Sequence, residues 1–368
     1  MNNKICFIIA SFSSGGVNKV ISNLANEFSN RGIQVDVVSL SSKFVESKKL
    51  YNNKVKLITL NGYRATSFIQ LTYFFFKNKQ YDNIISSVEF VNVHTIISSK
   101  LSSIKAKVML ISHTNLSEEK RHINTLLLKS VYKLARFLYP MSDYICAVSS
   151  GVADSIEKEL GVRRVKIKVI YNPIVKKSRI NSIPKIPHEW YKDKVPVLVG
   201  CGRLTKQKNF RQLLDVFSSI VKTHKIRLII LGDGEKKDNL SIQIKNLNLQ
   251  NSVLMLGNVK NPLDYFFYSK VFIMTSLWEG FGNVIVEALS VGCPVIATDC
   301  PSGPIEILEN GRYGELVKLN DNIDLYNKII DNLDTKIQSR KYLQERANDF
   351  RIDIIANQYL ELLYSKVV

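Results

Sequence analysis

Long apolar runs are missing from this chain of 368 residues. Nowhere do about 18 consecutive apolar residues occur, the length that a membrane-crossing helix needs. The longest aromatic-rich stretch, Leu71-Thr72-Tyr73-Phe74-Phe75-Phe76, is ended by Lys77. At the N-terminus Lys4 precedes an apolar run too short for a secretory signal, so no export is expected. Cysteines are few: Cys6, Cys146, Cys201, Cys293 and Cys300 are odd in number and form no C-x-x-C. With five histidines and no His cluster beside them, neither a disulfide framework nor a zinc site is indicated, and a reducing cytosol fits. Negative charge is also scarce. Against 51 Lys+Arg stand 32 Asp+Glu, a formal charge of +19, so anionic partners are expected: nucleic acid, a phospholipid surface or a phosphorylated substrate.

What is present is ordinary globular material, with 45% hydrophobic and 10% aromatic residues, which excludes disordered, collagen-like and small disulfide-scaffold classes. Divided by about 150 residues per domain, the length corresponds to roughly two domains. Lys4 to Ala10 reads as a buried strand, followed by the turn Ser11-Phe12-Ser13-Ser14-Gly15-Gly16 and a helical pattern on Val20, Leu24 and Phe28 that ends at Gly32. Val35 to Leu40 is the next strand. The same alternation continues through Ile84–Ser86, Val108–Ile111, Tyr144–Val148 and Ile167–Ile170. A stretch rich in Lys, Pro and Ser then reads as a linker over 174–194. A second alternating series has strands at Val197–Gly200, Leu228–Leu231, Val253–Met255, Val271–Met274 and Val295–Ala297. The fold class expected is α/β, two parallel-sheet lobes facing a central cleft at the carboxyl ends of their strands. Their expected bounds are 1–173 and 195–340.

Chemistry-bearing residues cluster after particular strands. Glu279-Gly280-Phe281-Gly282-Asn283-Val284 opens a helix that runs through Glu287 and closes at Gly292. Free amides at Asn283 and Val284 suit a phosphate, and the flanking carboxylates Glu279 and Glu287 suit hydroxyl-rich groups. Taken alone, Glu287 reads as an ordinary solvated helix glutamate. Gly202-Arg203-Leu204-Thr205-Lys206-Gln207-Lys208 follows the first strand of the second lobe, where Arg203 and Lys208 form a good diphosphate clamp or else a solvated surface. In the first lobe His113 follows a strand, either as a ligand-facing group or as a histidine bonded to a local carbonyl.

Taken together, Gly202-Arg203-Leu204 with Lys208, Leu231-Gly232-Asp233-Gly234, and Glu279 with Glu287 as E-x7-E resemble the retaining GT-B glycosyltransferases of family 4. The first lobe is similar in Gly15-Gly16-Val17, Asn23-Leu24-Ala25, Ser112-His113-Thr114-Asn115, Ala147-Val148-Ser149 and Tyr171-Asn172-Pro173. Where that family often carries an acidic residue before the histidine, this chain has Ser112. The resemblance implies two Rossmann-like lobes and a C-terminal helix, within 341–368, that crosses back to the N-terminal lobe. It implies that Arg203 and Lys208 bind the nucleotide diphosphate, Glu287 the ribose and Glu279 the donor sugar. Gly282, Asn283 and Val284 would present amides, Gly15 and Gly16 would let the backbone approach the donor, and His113 would touch the reacting sugar. No Asp-x-Asp occurs, so no metal and no cofactor are expected, the nucleotide sugar being a substrate and the two cations carrying the electrostatic work.

Between Ser117 and Tyr139, at about 100° per residue, His122, Lys129, Lys133 and Arg136 fall within roughly 60° of one another, with Leu127, Val131, Leu134 and Leu138 opposite. This helix either packs on its sheet with a solvated outer face or rests near anionic phospholipid. Leu71 to Phe76 leaves the same two readings open. The resemblance to enzymes of bacterial O-antigen, capsule or glycoprotein glycans implies a nucleotide sugar donor, UDP-linked first and GDP-mannose second. It also implies a lipid-linked oligosaccharide acceptor and a cytoplasmic, peripheral location at the inner-membrane surface. Rival readings are an epimerase or phosphorylase on a similar fold, and a basic nucleic-acid binder for which no recognition motif is visible, so no nucleic acid is expected as partner. A Rossmann dehydrogenase fits less well, because Ser13-Ser14-Gly15-Gly16 is not G-x-G-x-x-G.

Overall fold

A computed structural model describes residues 3–13, 15–62, 66–122, 126–177, 184–334 and 338–364, with 126–128 by backbone alone. The chain forms two compact units, Met1–Ile174 with Ile352–Val368, and Val175–Arg351. The first unit runs β1 (Lys4–Ser11), α1 (Gly16–Asn30), β2 (Gln34–Ser41), β3 (Lys56–Thr59), α2 (Ser67–Lys77), β4 (Asn83–Ser87), α3 (Glu89–Ser102), β5 (Lys107–Ser112), α4 (Leu116–His122), α5 (Leu126–Leu138), β6 (Tyr144–Ala147), α6 (Ser150–Leu160) and β7 (Ile167–Val169). Its strands lie in the order β3-β2-β1-β4-β5-β6-β7, all parallel.

The second unit runs β8 (Val197–Cys201), α7 (Phe210–Ile220), β9 (Arg227–Leu231), α8 (Lys237–Asn246), β10 (Val253–Gly257), α9 (Pro262–Tyr268), β11 (Val271–Met274), α10 (Asn283–Ser290), β12 (Val295–Thr298), α11 (Pro304–Ile307), β13 (Glu315–Val317), α12 (Asn322–Asp334) and α13 (Arg340–Ala347). Its sheet is also parallel, in the order β10-β9-β8-β11-β12-β13. Helices cover both faces of such sheets, so central strands are continuous apolar runs rather than alternating ones. Ile5 to Ile9 and Leu228 to Leu231 are accordingly buried throughout, each large aliphatic side chain contributing roughly 1.5–3 kcal/mol.

The two-lobed parallel α/β architecture is therefore as the alternation of strands and helices indicates. Two strands were not read from the sequence, β3 and β13. Both are short edge strands with half-exposed residues, so neither carries the apolar run that marks a buried one. Residues 178–183 of the stretch read as a linker lie outside the described residues. The rest of that stretch, from Val175, is bound to the second unit: Val175 N donates to the Phe350 carbonyl (3.1 Å), Tyr268 Oη to the Pro184 carbonyl (2.6 Å) and Arg227 Nη1 to Asp193 Oδ2 (2.8 Å).

The C-terminal segment, expected to hold one helix within 341–368, is three pieces: α13, a 3₁₀ turn at Asn348–Phe350 and α14 (Ile352–Tyr364). Only α14 belongs to the first unit, where it buries Ile355 and Tyr359. Arg31 at the end of α1 donates to the Asp353 carbonyl (2.9 Å) and to Asn357.

In each sheet the chain lays down one flank and then jumps back to start the other, at β1/β4 and at β8/β11. The carboxyl ends of the strands at such a switch point form the crevice in which open α/β sheets hold ligands.

Candidate functional site

At the switch point of the second unit β8 and β11 are neighbours, so the loops leaving their carboxyl ends meet. Thr275 Oγ1 donates to the Lys208 carbonyl (3.1 Å), Leu277 N to the Gln207 carbonyl (2.8 Å) and Gln207 Nε2 to the Trp278 carbonyl (2.8 Å). These bonds fix Lys208, whose Nζ is paired with Glu279 Oε1. Ser276 Oγ donates to the same oxygen at 2.7 Å. The two charged side chains are only 14% and 8% exposed, and a pair so far from water persists only when further hydrogen bonds satisfy it. Arg203, on the same loop, is exposed and pairs with no carboxylate among the described residues.

The neighbouring β9 loop locks this arrangement. Gly202 N donates to the Leu231 carbonyl and Leu204 N to the Asp233 carbonyl, both at 2.9 Å. Where these backbones cross, a Cβ on Gly232 (φ +130°) would lie 2.0 Å from the Gly202 carbonyl oxygen, so only glycine fits in Leu231-Gly232-Asp233-Gly234.

The helix α10 starts at Gly282, which sits at φ +98° and provides no side-chain cap. The amides of its first turn, those of Asn283 and Val284 among them, point out of the N-terminal end of the helix, the geometry that suits an anion. Glu279 and Glu287 are 6% and 7% exposed, which sets aside the reading of Glu287 as a solvated glutamate. Beneath the Glu279 loop, Glu279 N donates to the Pro301 carbonyl (3.2 Å) and Thr298 Oγ1 to the Ser276 carbonyl (2.5 Å). The Cys300 thiol below is pushed up by burial and by the Glu279 charge. A Cβ on Gly303 (φ +93°) would lie 1.9 Å from the Phe281 carbonyl oxygen. The Cys300-Pro301-Ser302-Gly303-Pro304 run is thus the floor on which the Glu279 loop rests.

In the first unit, Gly15 and Gly16 lie at the carboxyl end of β1 and are exposed. Gly15 has extended backbone, and a Cβ there would meet nothing within 4 Å. Neither conformation nor packing demands glycine at this point, and the space in front of it is open. Asn18, 7% exposed, holds the turn by donating to the carbonyls of Ser11 (2.9 Å) and Ser13 (2.6 Å). His113 follows β5, which β4 separates from β1. It is half-buried with its Nε2 buried and unpartnered, and desolvation lowers its pKa to about 4, so the ring is neutral near pH 7. Other motif residues have structural jobs. Ser149 Oγ accepts from Val152 N (3.2 Å) as the N-cap of α6, and Asn23 Nδ2 donates to the Pro173 carbonyl (2.8 Å).

Two surface features bear on the acceptor. The pattern over 117–139 is two helices, α4 and α5, rather than one, and Leu127 lies outside the described side chains. Lys129, Lys133 and Arg136 are exposed, as read. Leu134, placed on the packed face from the sequence, is 47% exposed instead. The buried face is carried by Val131, Tyr132 and Ala135, and Leu134 joins Phe137 and Met141 on the outside. On α2, Leu71 and Phe75 are buried while Ile69, Tyr73 and Phe76 are exposed, with Lys77 and Lys79 over the Tyr73 and Phe76 rings. Among the described residues no helix is long and apolar enough to cross a membrane. Nor do three or more His, Cys, Asp or Glu among them stand where they could hold a metal ion.

Residues 14–176 match the model of glycosyltransferase family 4, and residues 183–350 that of glycosyl transferases group 1. The chain belongs to the family 4 glycosyltransferases. This glycosyltransferase is 34% identical over 265 residues to an uncharacterized glycosyltransferase of Methanocaldococcus jannaschii, covering 62% of this chain and 65% of that one, just under two thirds of its length. Over 362 residues it is 28% identical to the N-acetylgalactosamine-N,N'-diacetylbacillosaminyl-diphospho-undecaprenol 4-alpha-N-acetylgalactosaminyltransferase of Campylobacter jejuni, covering 94% of this chain and 93% of the relative. Its fold is that of HepE from Anabaena, solved in complex with UDP-glucose, at TM-score 0.82 and 24% identity over 99% of this chain and 100% of that one. Both lobes are thus the Rossmann-like halves of a GT-B glycosyltransferase.

Some residues of this glycosyltransferase escaped the motif reading. Ser276 and Gln207, which hold Glu279 and the Lys208 loop, are polar residues at or after strand ends with no spacing rule to single them out. Glu89 is another: it follows β4 much as His113 follows β5 and is 3% exposed. That position directly past a buried strand was the one signal available.

Proposed function

We propose that this glycosyltransferase moves a hexose or N-acetylhexosamine from a nucleotide sugar to a polyprenyl-diphosphate-linked oligosaccharide of a bacterial surface glycan. The donor is UDP-linked in the first instance and GDP-mannose in the second. Transfer retains the anomeric configuration and uses no divalent metal. The observation that supports this most is the Lys208–Glu279 pair, held between two loops at the switch point, with the unpaired Arg203 beside it and the uncapped α10 terminus following.

A diphosphate in this setting meets the planar fork of Arg203, the remaining protons of Lys208 and the first amides of α10. Together these stabilise the negative charge that develops as the sugar–phosphate bond breaks. Glu287 takes the paired ribose hydroxyls and Glu279 the hydroxyls of the sugar. Because Glu279 Oε1 already accepts from Lys208 and Ser276, it is a poor covalent nucleophile. The acceptor hydroxyl instead attacks from the face the phosphate leaves, and the departing phosphate takes its proton. His113, neutral, meets the transferred sugar as donor or acceptor without adding charge, and the open space before Gly15, with the exposed Gly16 next to it, admits the donor.

The acceptor assignment rests on the lipid-linked acceptor in the name of the Campylobacter relative and on the cationic and aromatic faces of α5 and α2, which suit anionic lipid. The location that follows is peripheral, on the cytoplasmic face of the inner membrane. The test is transfer from UDP-hexoses, UDP-N-acetylhexosamines and GDP-mannose to a polyprenyl-diphosphate-linked acceptor in EDTA, with the product linkage read by NMR. A retained anomer in EDTA is expected. An inverted linkage, a strict need for Mg²⁺, or release of free epimerised sugar would each overturn the corresponding part.

A further inference from the structure

Outside the second unit's site, polar atoms without partners are concentrated around His113. Glu89 Oε1, Ser112 Oγ, His113 Nε2, Glu119 Oε2 and Tyr132 Oη are all buried and make no hydrogen bond. They come from four elements. Glu89 opens α3 at the carboxyl end of β4, Ser112 ends β5 with His113 directly after it, Glu119 lies on α4 and Tyr132 on α5. Val88, just before Glu89, donates to the Ile111 carbonyl (3.2 Å) and sits at φ +76°. That is a strained conformation for a β-branched residue, and it swings the chain so that Glu89 faces the end of β5.

The two carboxyls bracket the histidine. Glu89 bears on Ser112 and on Glu119, and Glu119 bears on Thr114 and Tyr132. Residues on both sides of His113 therefore lie beside an acid. No cation answers them among the described residues. On α4, Lys120 is paired with Glu159 (2.8 Å) and Arg121 with Glu118 (2.6 Å), while Lys129, Lys133 and Arg136 of α5 are exposed. The remaining titratable neighbours are neutral: Tyr132, and Tyr139, whose hydroxyl accepts from Asn92 (3.0 Å). On α3, His94 Nδ1 is bonded to the Phe90 carbonyl (2.7 Å). Two buried carboxyls so placed cannot both ionise near neutral pH. Burial and then the Glu119 charge push Glu89 up to about 8, and burial raises Glu119.

We propose that Glu89 and Glu119 are positioning residues: as a carboxyl pair holding one proton between them, they clamp the Ser112-His113-Thr114 turn and set the place of His113. The catalytic part of this rests on the assignment of His113 to the transferred sugar under the proposed function. With one proton the pair has a donor for one neighbour and acceptors for the others. When that proton leaves, two like charges face each other and the turn between them is released.

Three measurements on the whole chain test this. The carboxyl band in difference infrared spectra should show a protonated acid at pH 7 that titrates near pH 8 and is gone in Glu89→Gln. The His113 ring signals in NMR should shift with that same titration in wild type and stay fixed in Glu89→Gln. In turnover, kcat should fall roughly tenfold per pH unit above about pH 8 with the donor KM unchanged. Glu89→Ala should lose up to about a hundredfold in kcat at pH 7, and Glu89→Gln, isosteric with the protonated acid, should restore most of it and remove the alkaline fall. A pH 7 spectrum without a protonated buried acid, or His113 signals indifferent to the titration, overturns the clamp. A Glu89→Gln variant that keeps the alkaline fall overturns its catalytic part. Should wild type transfer no sugar while the first two results hold, the clamp stands and the functional reading fails.

Discussion

Lys208 and Glu279 depend on each other. Lys208→Ala leaves a carboxylate 8% exposed with only Ser276, among the described side chains, to answer it, and removal of one partner from such a pair costs about 3 kcal/mol. Glu279→Gln keeps an acceptor for both Lys208 and Ser276 and should cost less than half of that in urea unfolding. Reversed costs would mean that the pair is not held as described. Two titrations should shape stability as well. Native Glu89 keeps its proton to about pH 8, whereas at its ordinary value of 4.5 the unfolded chain has lost it, so stability falls as pH rises across that window. Native His113 stays neutral down to about pH 4, while the unfolded ring protonates near 6.5, so stability falls again as pH drops from 6.5 to 4. Glu89→Gln should flatten the first slope of urea midpoint against pH and His113→Asn the second; slopes unaltered by these changes would contradict the burial that causes them. At this scale the identity of Arg203, Lys208, Glu279 and Glu287 was legible from type and spacing. Their mutual pairing was not, because spacing along the chain says nothing about which charges meet when two separate loops come together.

Among elements, the loop that carries Glu279 is shaped by backbones in contact. Gly303→Ala would place a Cβ 1.9 Å from the Phe281 carbonyl at φ +93°, so the loop or its floor must move, at a cost of at least about 2 kcal/mol. Ser149→Ala removes the one side-chain cap of α6 and should cost about 1 kcal/mol. Thermal unfolding should rank the two in that order. The buried strands of both sheets were legible because a parallel sheet covered on both faces writes itself as a run of Ile, Val and Leu. The edge strands β3 and β13 were not, and neither was the outward turn of Leu134. An amphipathic pattern assigns an apolar residue to the packed face by default, and only the neighbouring helices decide which apolar residues find cover.

For the whole molecule, the two-unit architecture and the surplus of positive charge carry the consequences. The charge is partly spent on the exposed face of α5, where Lys129, Lys133 and Arg136 stand beside Phe137. Replacing the three cations by Glu should abolish sedimentation with vesicles rich in anionic lipid while leaving nucleotide binding in solution intact, since none of them lies in the second unit. Wild-type binding should weaken with salt. Vesicle binding that survives the triple change would move the membrane contact elsewhere, with the exposed Ile69, Tyr73 and Phe76 of α2 the next surface to examine.

The most direct test of a nucleotide-sugar site in the second unit is thermal stabilisation by UDP, GDP, ADP and their sugars in EDTA, comparing wild type with Glu287→Ala. Stabilisation selective for one nucleotide, UDP first, is expected in wild type, near 2.7 kcal/mol at about 100-fold above Kd, and it should be lost in the variant. No stabilisation by any nucleotide, with or without Mg²⁺, or the same stabilisation in Glu287→Ala, would contradict the site.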